Sequence, residues 1–178
     1  FTSGTGNTAI GSQSMLNFTA GSYNTALGAM ASLNLTTGTQ NTAIGWRALY
    51  SSNGDFNTAV GASALINNTS GYNTSLGFES GFNSTGSGNI LIGYQAGYVA
   101  GNDNTIIGYG AGRKGGTGSG NVIIGKYAGF NAEGWNNVFI GNRAGYSETG
   151  SNKLYISNQI NYQEYTLVSG DFSTGALS

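Results

Sequence analysis

The sequence contains no cysteine, no proline and no histidine, and it carries six basic and seven acidic side chains among 178 residues. Without His or Cys, neither Ser-His-Asp nor Cys-His nucleophilic catalysis can be assembled, and His/Cys zinc sites are excluded as well. The three aspartates, Asp55, Asp103 and Asp171, are too few for a calcium-binding nonapeptide solenoid. Charge amounts to 7% of residues, residues 1–46 have no charged side chain, and the net charge is −1. Arg113–Lys114 is the one adjacent basic pair. Nucleic acid is therefore not an expected partner, because its affinity rests on Lys and Arg neutralising phosphates. No apolar run approaches the roughly 18 residues of a membrane-spanning helix, so membrane insertion is not expected either. The sequence opens at Phe1 in the middle of a pattern, which reads as part of a longer protein.

What is present repeats. Asn7, Asn24, Asn41, Asn57, Asn73, Asn89, Asn104, Asn121 and Asn137 each open a variant of the stretch NTAIG found at 41–45, spaced 15 to 17 residues apart. We number slots from this anchor. Slot three is aliphatic (Ile10, Leu27, Ile44, Val60, Leu76, Ile92, Ile107, Ile124, Ile140), slot four is Gly and slot seven is Ala or Ser in all nine copies. A tenth, degraded copy starts at Lys153, with Leu154, Ile156 and Ser157 in the two aliphatic slots and the glycine slot. Glycine totals 32 residues, yet the chain is 38% hydrophobic and 12% aromatic, unlike a disordered segment.

A period of about 16 is too short for ankyrin, tetratricopeptide or leucine-rich repeats, and repeated Gly costs about 1 kcal/mol per residue in a helix. It suits one coil of a parallel β-solenoid, predicted as two strands of about five residues and two tight turns. The whole is then an all-β β-roll of about ten coils over residues 1–157, with residues 158–178 as an exit segment leading to a further domain. Stacked Asn residues predict an amide ladder at a turn, and slot-four Gly predicts positive φ or close backbone approach. Slots one and three share a strand face and slot two has the other. The slot-three aliphatics Ile44 and Ile124 are expected to fill the coil, with slot-one Thr buried beside them. Slot two, which turns bulky at Leu91, Ile106, Ile123 and Phe139, is then left to meet a neighbouring chain.

The core N-[TS]-[AS]-[ILV]-G-x-x-[AS] resembles the head repeats of trimeric autotransporter adhesins. GYQAGY at 93–98, GNRAGY at 141–146 and the ending NKLYISNQ…YTLVSGDFSTGALS are similar to repeats of phage and bacterial tail-fibre proteins. The resemblance covers about residues 4–178. It implies a left-handed β-roll that trimerises with copies of itself, without enzymatic activity or cofactor, on a virion or a cell surface. The implied role is a rigid shaft segment of a phage tail fibre that supports binding to a glycan or protein receptor. A bacterial adhesin head that binds host ligand along its side is the alternative, and a polysaccharide-degrading fibre is the third reading. The coil departs from the adhesin-head repeat in being about two residues longer.

Four slot-five aromatics, Trp46, Phe78, Tyr94 and Tyr109, are candidate ligand-facing residues, because aromatic faces stack on sugars; covering a neighbouring subunit is the competing role. Glu133, Glu148 and Glu164, 15 and 16 residues apart, are candidates for paired carboxylates of glycoside hydrolysis, against a plain solvated acidic stripe. The slot-one Thr rank could order water as an ice-binding array, but its expected burial argues against that. GNVIIGKY at 120–127 has P-loop spacing with Tyr127 where Ser or Thr must meet magnesium, and GAGRKG at 110–115 has no strand-then-helix context. Both are read as products of the repeat.

Overall fold

The computed structural model describes residues 3–114, 116, 118–160 and 163–178, with 159, 160, 163 and 164 described by their backbone. Each repeat forms one three-residue strand: β1 (Thr8–Ile10), β2 (Thr25–Leu27), β3 (Thr42–Ile44), β4 (Thr58–Val60), β5 (Thr74–Leu76), β6 (Ile90–Ile92), β7 (Thr105–Ile107), β8 (Val122–Ile124) and β9 (Val138–Ile140). Each pairs in parallel with the next, slot upon slot; Thr42, Ala43 and Ile44 lie beside Thr58, Ala59 and Val60. The chain is a parallel β-solenoid of about nine turns. β10 (Lys153–Ile160) continues the stack, with Leu154, Tyr155 and Ile156 opposite Val138, Phe139 and Ile140, so the degraded tenth copy keeps the register. β11 (Gln163–Asp171) then folds back antiparallel on β10, and β12 (Ala176–Leu177) on β11. At the usual spacing between strands, β1 to β10 span about 43 Å.

Among the described residues the second strand predicted for each coil is absent, and the backbone shows why. The residue before each anchor is left-handed, as at Tyr23 (φ 61°), Gln40 (56°) and Phe56 (59°), and slots six and eight are left-handed too, as at Arg47 (56°) and Leu49 (50°). A residue with positive φ ends a strand, so the remainder of the coil is a train of turns. The left-handed position at the anchor is the preceding residue, and not the Asn itself. Slot-four Gly meets both of its predicted requirements. Gly45 has φ 129°, and a Cβ there would lie 2.7 Å from the carbonyl of Gly61 in the next coil.

The Asn ladder forms as predicted. The Asn41 backbone N–H and side-chain amide both donate to Oδ1 of Asn24, at 2.9 and 3.2 Å, and the amide also donates to the Gly54 carbonyl at 2.9 Å. Asn41 Oδ1 in turn accepts from the Asn57 N–H at 2.9 Å. The anchors from Asn24 to Asn137 are all buried, so the ladder satisfies polar groups that water does not reach.

The interior is lined by slot two, which reverses the predicted facing. Ala26, Ala43, Ala59, Ser75, Leu91, Ile106, Ile123 and Phe139 are fully buried, beside slot-seven Ala48, Ala64, Ala96 and Ala111, whereas Ile44 is 36% exposed. The bulky residues from Leu91 onward therefore point inward and meet no neighbouring chain. Room for them comes from slot eight. In the first, third and fourth coils slot two is Ala and slot eight is large (Ala9 with Met15, Ala43 with Leu49, Ala59 with Leu65), while the second (Ala26 with Ser32) and the fifth (Ser75 with Gly81) have small residues in both. In later coils slot two is large and slot eight is Gly97, Gly112, Gly129 or Gly145. A Cβ on Gly97 would come within 2.5 Å of Leu91 Cδ2, and one on Gly145 within 2.6 Å of Phe139 Cδ1. The large side chain changes sides of a thin interior whose packing density must be kept.

This exchange predicts a rescue. Gly97→Leu alone should destabilise by about 3 kcal/mol through overpacking, and Leu91→Ala alone by about 2–5 kcal/mol through a cavity. The double variant reproduces the Ala59/Leu65 arrangement and should recover most of either loss in urea unfolding. Gly97 (φ 55°) and Leu65 (49°) share the left-handed conformation, which costs a residue other than glycine about 1–2 kcal/mol, so the recovery should fall short of the parent by about that much. A double variant no more stable than the worse single one would contradict the exchange.

The C-terminal end is closed by side chains. Tyr155 stacks on Phe139 at 5.6 Å between centroids and donates from its hydroxyl to Glu148 Oε2 at 2.8 Å. Lys153 Nζ pairs with Asp171 Oδ2 at 2.6 Å across β10 and β11. That bond, with those from Ser173, holds the Asp171 carboxyl down at about 2, and it raises Lys153. A depressed carboxyl stabilises the fold above its unfolded range and ceases to do so as pH falls through about 2. Lys153→Met should therefore lower the melting temperature near neutral pH but make no difference at the acid end of that transition. An equal difference at both pH values would remove the ion pair from the explanation.

Candidate functional site

Two of the outward surfaces of the coil carry the residues singled out in the sequence; a further exposed rank, Tyr23, Phe56, Tyr72 and Trp135, lies just before the anchor, with Phe56 stacked on Tyr72 at 4.9 Å. The first is the sheet face. Parity puts slots one and three outside once slot two lies inside, so a rank of Thr and a rank of aliphatics run along the rod together. Thr8, Thr25, Thr58 and Thr74 are exposed, which overturns their predicted burial. Ile10, Leu27, Ile44, Leu76, Ile90 and Ile140 are between 36% and 58% exposed. From the sixth coil, Ile90, Val122 and Val138 replace most of the Thr rank. At the C-terminal end the face runs into a groove lined by Ile140, Ile156, Tyr165 and Leu167, and Leu167 is 81% exposed.

The second surface is the flank beyond the slot-four bend. Trp46, Phe78, Tyr94 and Tyr109 are all exposed there. Tyr94 is stacked between Phe78 at 5.5 Å and Tyr109 at 4.7 Å. Both of its faces are covered, so edges and hydroxyls point to solvent, and a sugar ring finds no open face on Tyr94. Trp46 stands between Ala29 and Ala62 in its slot, with the Arg47 guanidinium 4.6 Å from its ring centroid.

A second aromatic column, which sequence reasoning missed, occupies slot nine: Tyr50, Phe82, Tyr98, Phe130 and Tyr146. Phe82 stacks on Tyr98 at 4.9 Å and Phe130 on Tyr146 at 5.2 Å. The signal was available, since aromatics recur nine residues after the anchor. Arg113 takes this slot between Tyr98 and Phe130, 5.8 Å from the Phe130 ring. Burial pushes the Tyr98 hydroxyl pKa up, Glu79 adds to the rise and Arg113 opposes it. Lys114 lies 5.7 Å from Phe130, and Lys126 lies 6.0 Å from Tyr109 and 5.5 Å from Tyr127. Arg143 stands over Tyr146 at 4.8 Å. Of the six basic residues, five thus lie over aromatic rings, and the sixth, Lys153, pairs with Asp171.

The remaining sequence candidates fall into structural places. Glu148 uses both carboxylate oxygens, on the Gly150 N–H at 2.7 Å and on the Tyr155 hydroxyl at 2.8 Å. Glu133 is in the adjacent coil, its N–H donating to the Glu148 carbonyl at 3.3 Å, and the side chain of Glu164 lies outside the described residues. In GNVIIGKY, Asn121 is a ladder residue, Val122–Ile124 is β8 and Gly125 is the bend, with no helix among the described residues. Gly115 of GAGRKG lies outside them. Among the described residues no cluster of three or more His, Cys, Asp or Glu could hold a metal ion, and no helix is long and apolar enough to cross a membrane. Compared with protein-family models, with curated proteins and with solved structures, the chain matches none.

Proposed function

We propose that this chain is a structural segment of an attachment fibre, a stiff shaft in which three copies pack side by side and support receptor binding. The observation that carries this reading is the sheet face. An aliphatic column about 43 Å long, exposed on a single chain, is a contiguous apolar surface of the kind that marks an interface. Its occupant is a second copy, because the column is uncharged and places one Ile, Leu or Val per coil along the axis, as a side-by-side partner of the same period requires. The number three, and the tail-fibre setting, come from the likeness of the repeats to those of tail fibres and trimeric adhesins. Stacked backbone hydrogen bonds resist bending, and the packed faces would withhold the strands from proteases. The alternative, an adhesin head that binds ligand along its side, gains support from the cation-bearing aromatic flank.

The absence of cysteine makes a clean test possible. Thr58→Cys places a lone thiol on the sheet face and Asn67→Cys places one on the exposed flank. With a short bis-maleimide, the Thr58 variant should yield cross-linked chains rapidly and the Asn67 variant should not. Equal cross-linking of the two, or none in either, would sink the side-by-side arrangement.

A further inference from the structure

We propose that the flank of the seventh to ninth coils binds a carboxylated polysaccharide through Arg113, Lys114 and Lys126. This adds a ligand class to the proposed fibre but does not depend on the assembly, since the patch lies off the sheet face. Charge is scarce everywhere else: residues 1–46 have none, and three of the six basic residues fall between 113 and 126. None of the three forms an ion pair with a described carboxylate, the ion pair among the described residues being Lys153–Asp171.

These cations are held from behind. Arg113 and Lys114 both rest on Phe130, which is buried, stacked on Tyr146 and edge-on to Tyr127 at 5.4 Å. Lys126 lies across Tyr109 and Tyr127, whose rings meet at a right angle 5.4 Å apart. Tyr127 itself occupies space left by Gly110, where a Cβ would come within 2.7 Å of its ring. Cation–ring contacts restrict the long side chains while Lys114 and Lys126 remain exposed and Arg113 half-buried. Less ordering is then left to be done on binding.

The spacing suits an extended anionic chain. Arg113 and Lys126 belong to successive coils, in slots nine and five, so they are offset along the rod by one strand spacing, about 4.8 Å, and stand apart around the coil as well. Arg113 offers a planar fork that matches a carboxylate. The exposed Tyr109 and half-exposed Tyr127 hydroxyls and the half-exposed Asn131 amide are available to sugar hydroxyls. Nucleic acid fits less well. Single strands need open aromatic faces to stack on, and here Tyr109 is stacked on Tyr94 and meets Tyr127 at a right angle. Three cations are also few for phosphate-driven affinity.

Affinity electrophoresis of the folded chain through gels containing polygalacturonate, dextran sulfate, neutral dextran or poly(dT) tests the proposal. Polygalacturonate should retard the protein and neutral dextran should not. The triple variant Arg113→Gln, Lys114→Gln, Lys126→Gln should lose at least about tenfold in apparent affinity, as expected when charge-assisted bonds are removed. Its circular dichroism should be unchanged, and Arg47→Gln should bind like the parent. Equal retardation of parent and triple variant would overturn the site. Stronger retardation by dextran sulfate or by poly(dT) than by polygalacturonate would overturn the ligand class. If the triple variant does not fold, Lys114→Gln and Lys126→Gln singly, both at exposed positions, must each weaken retardation, and no change in either would overturn it too.

Discussion

Aspartate at position 123 should destroy the rod, whereas aspartate at position 124 should leave each chain folded and separate it from its partners. Ile123 is fully buried in the solenoid interior, between Ile106 and Phe139 in the strands on either side. A carboxylate there has no partner, and the loss should exceed about 4 kcal/mol, the range reserved for unpaired buried charge and core disruption. Ile124 points outward and is only half-buried on the isolated chain. Its replacement should cost the monomer no more than about 1 kcal/mol, but it sets like charges against one another wherever copies meet face to face. Circular dichroism and light scattering on the two variants separate these outcomes. Loss of folding at 124 with tolerance at 123 would invert the interior and the interface.

Asn73→Ala should cost on the order of 3–6 kcal/mol, the sum of several lost bonds and of the buried groups they leave unpaired. Asn73 donates its backbone N–H and its amide to Asn57 Oδ1 at 3.0 and 3.2 Å, and its amide also reaches the carbonyls of Gly71 at 3.1 Å and Gly86 at 3.0 Å. Its own Oδ1 accepts from the N–H and the amide of Asn89, both at 3.0 Å. Alanine leaves the Gly86 carbonyl and the Asn89 donors without that partner in a buried stretch of the coil. Asn67→Ala is the control. Asn67 belongs to an exposed ladder, its amide on Asn83 Oδ1 at 2.8 Å, where water replaces the lost bond, and the change should stay within about 1 kcal/mol. Urea unfolding of both variants measures the gap; equal losses would mean that the buried ladder does no more than the exposed one.

The period of the Asn-and-Gly pattern was legible because one coil forces one residue type at each of two special positions. Only Gly lets coils approach at slot four, and only a short amide both donates and accepts along the axis. Facing was not legible from the strand alone. Ile44 and Ala43 alternate, and hydrophobicity assigns Ile44 to the interior by default. What decides against this is the width of the coil, which admits at most one large side chain between slots two and eight of a layer. Leu49 supplies it in the third coil and Leu91 in the sixth, from opposite sides. That relation couples slots two and eight across six residues and appears only when the columns are compared. The slot-five aromatics were identifiable as outward, but their stacking depends on which coils lack an aromatic, as at Ala62, and on Lys126 entering the same column. The slot-nine column is regular enough to have been read from the sequence, though Arg113 interrupts it with a residue of different class that nevertheless stands over a ring.

The central claim is that the exposed aliphatic face exists to be covered by copies of the same chain. The most direct measurement is the mass of the folded protein by light scattering during size-exclusion chromatography, with folding confirmed on the same sample. The prediction is a particle of three chains of 18.2 kDa each, reduced to one chain by Ile124→Asp. A folded parent protein that elutes and scatters as a single chain would contradict it.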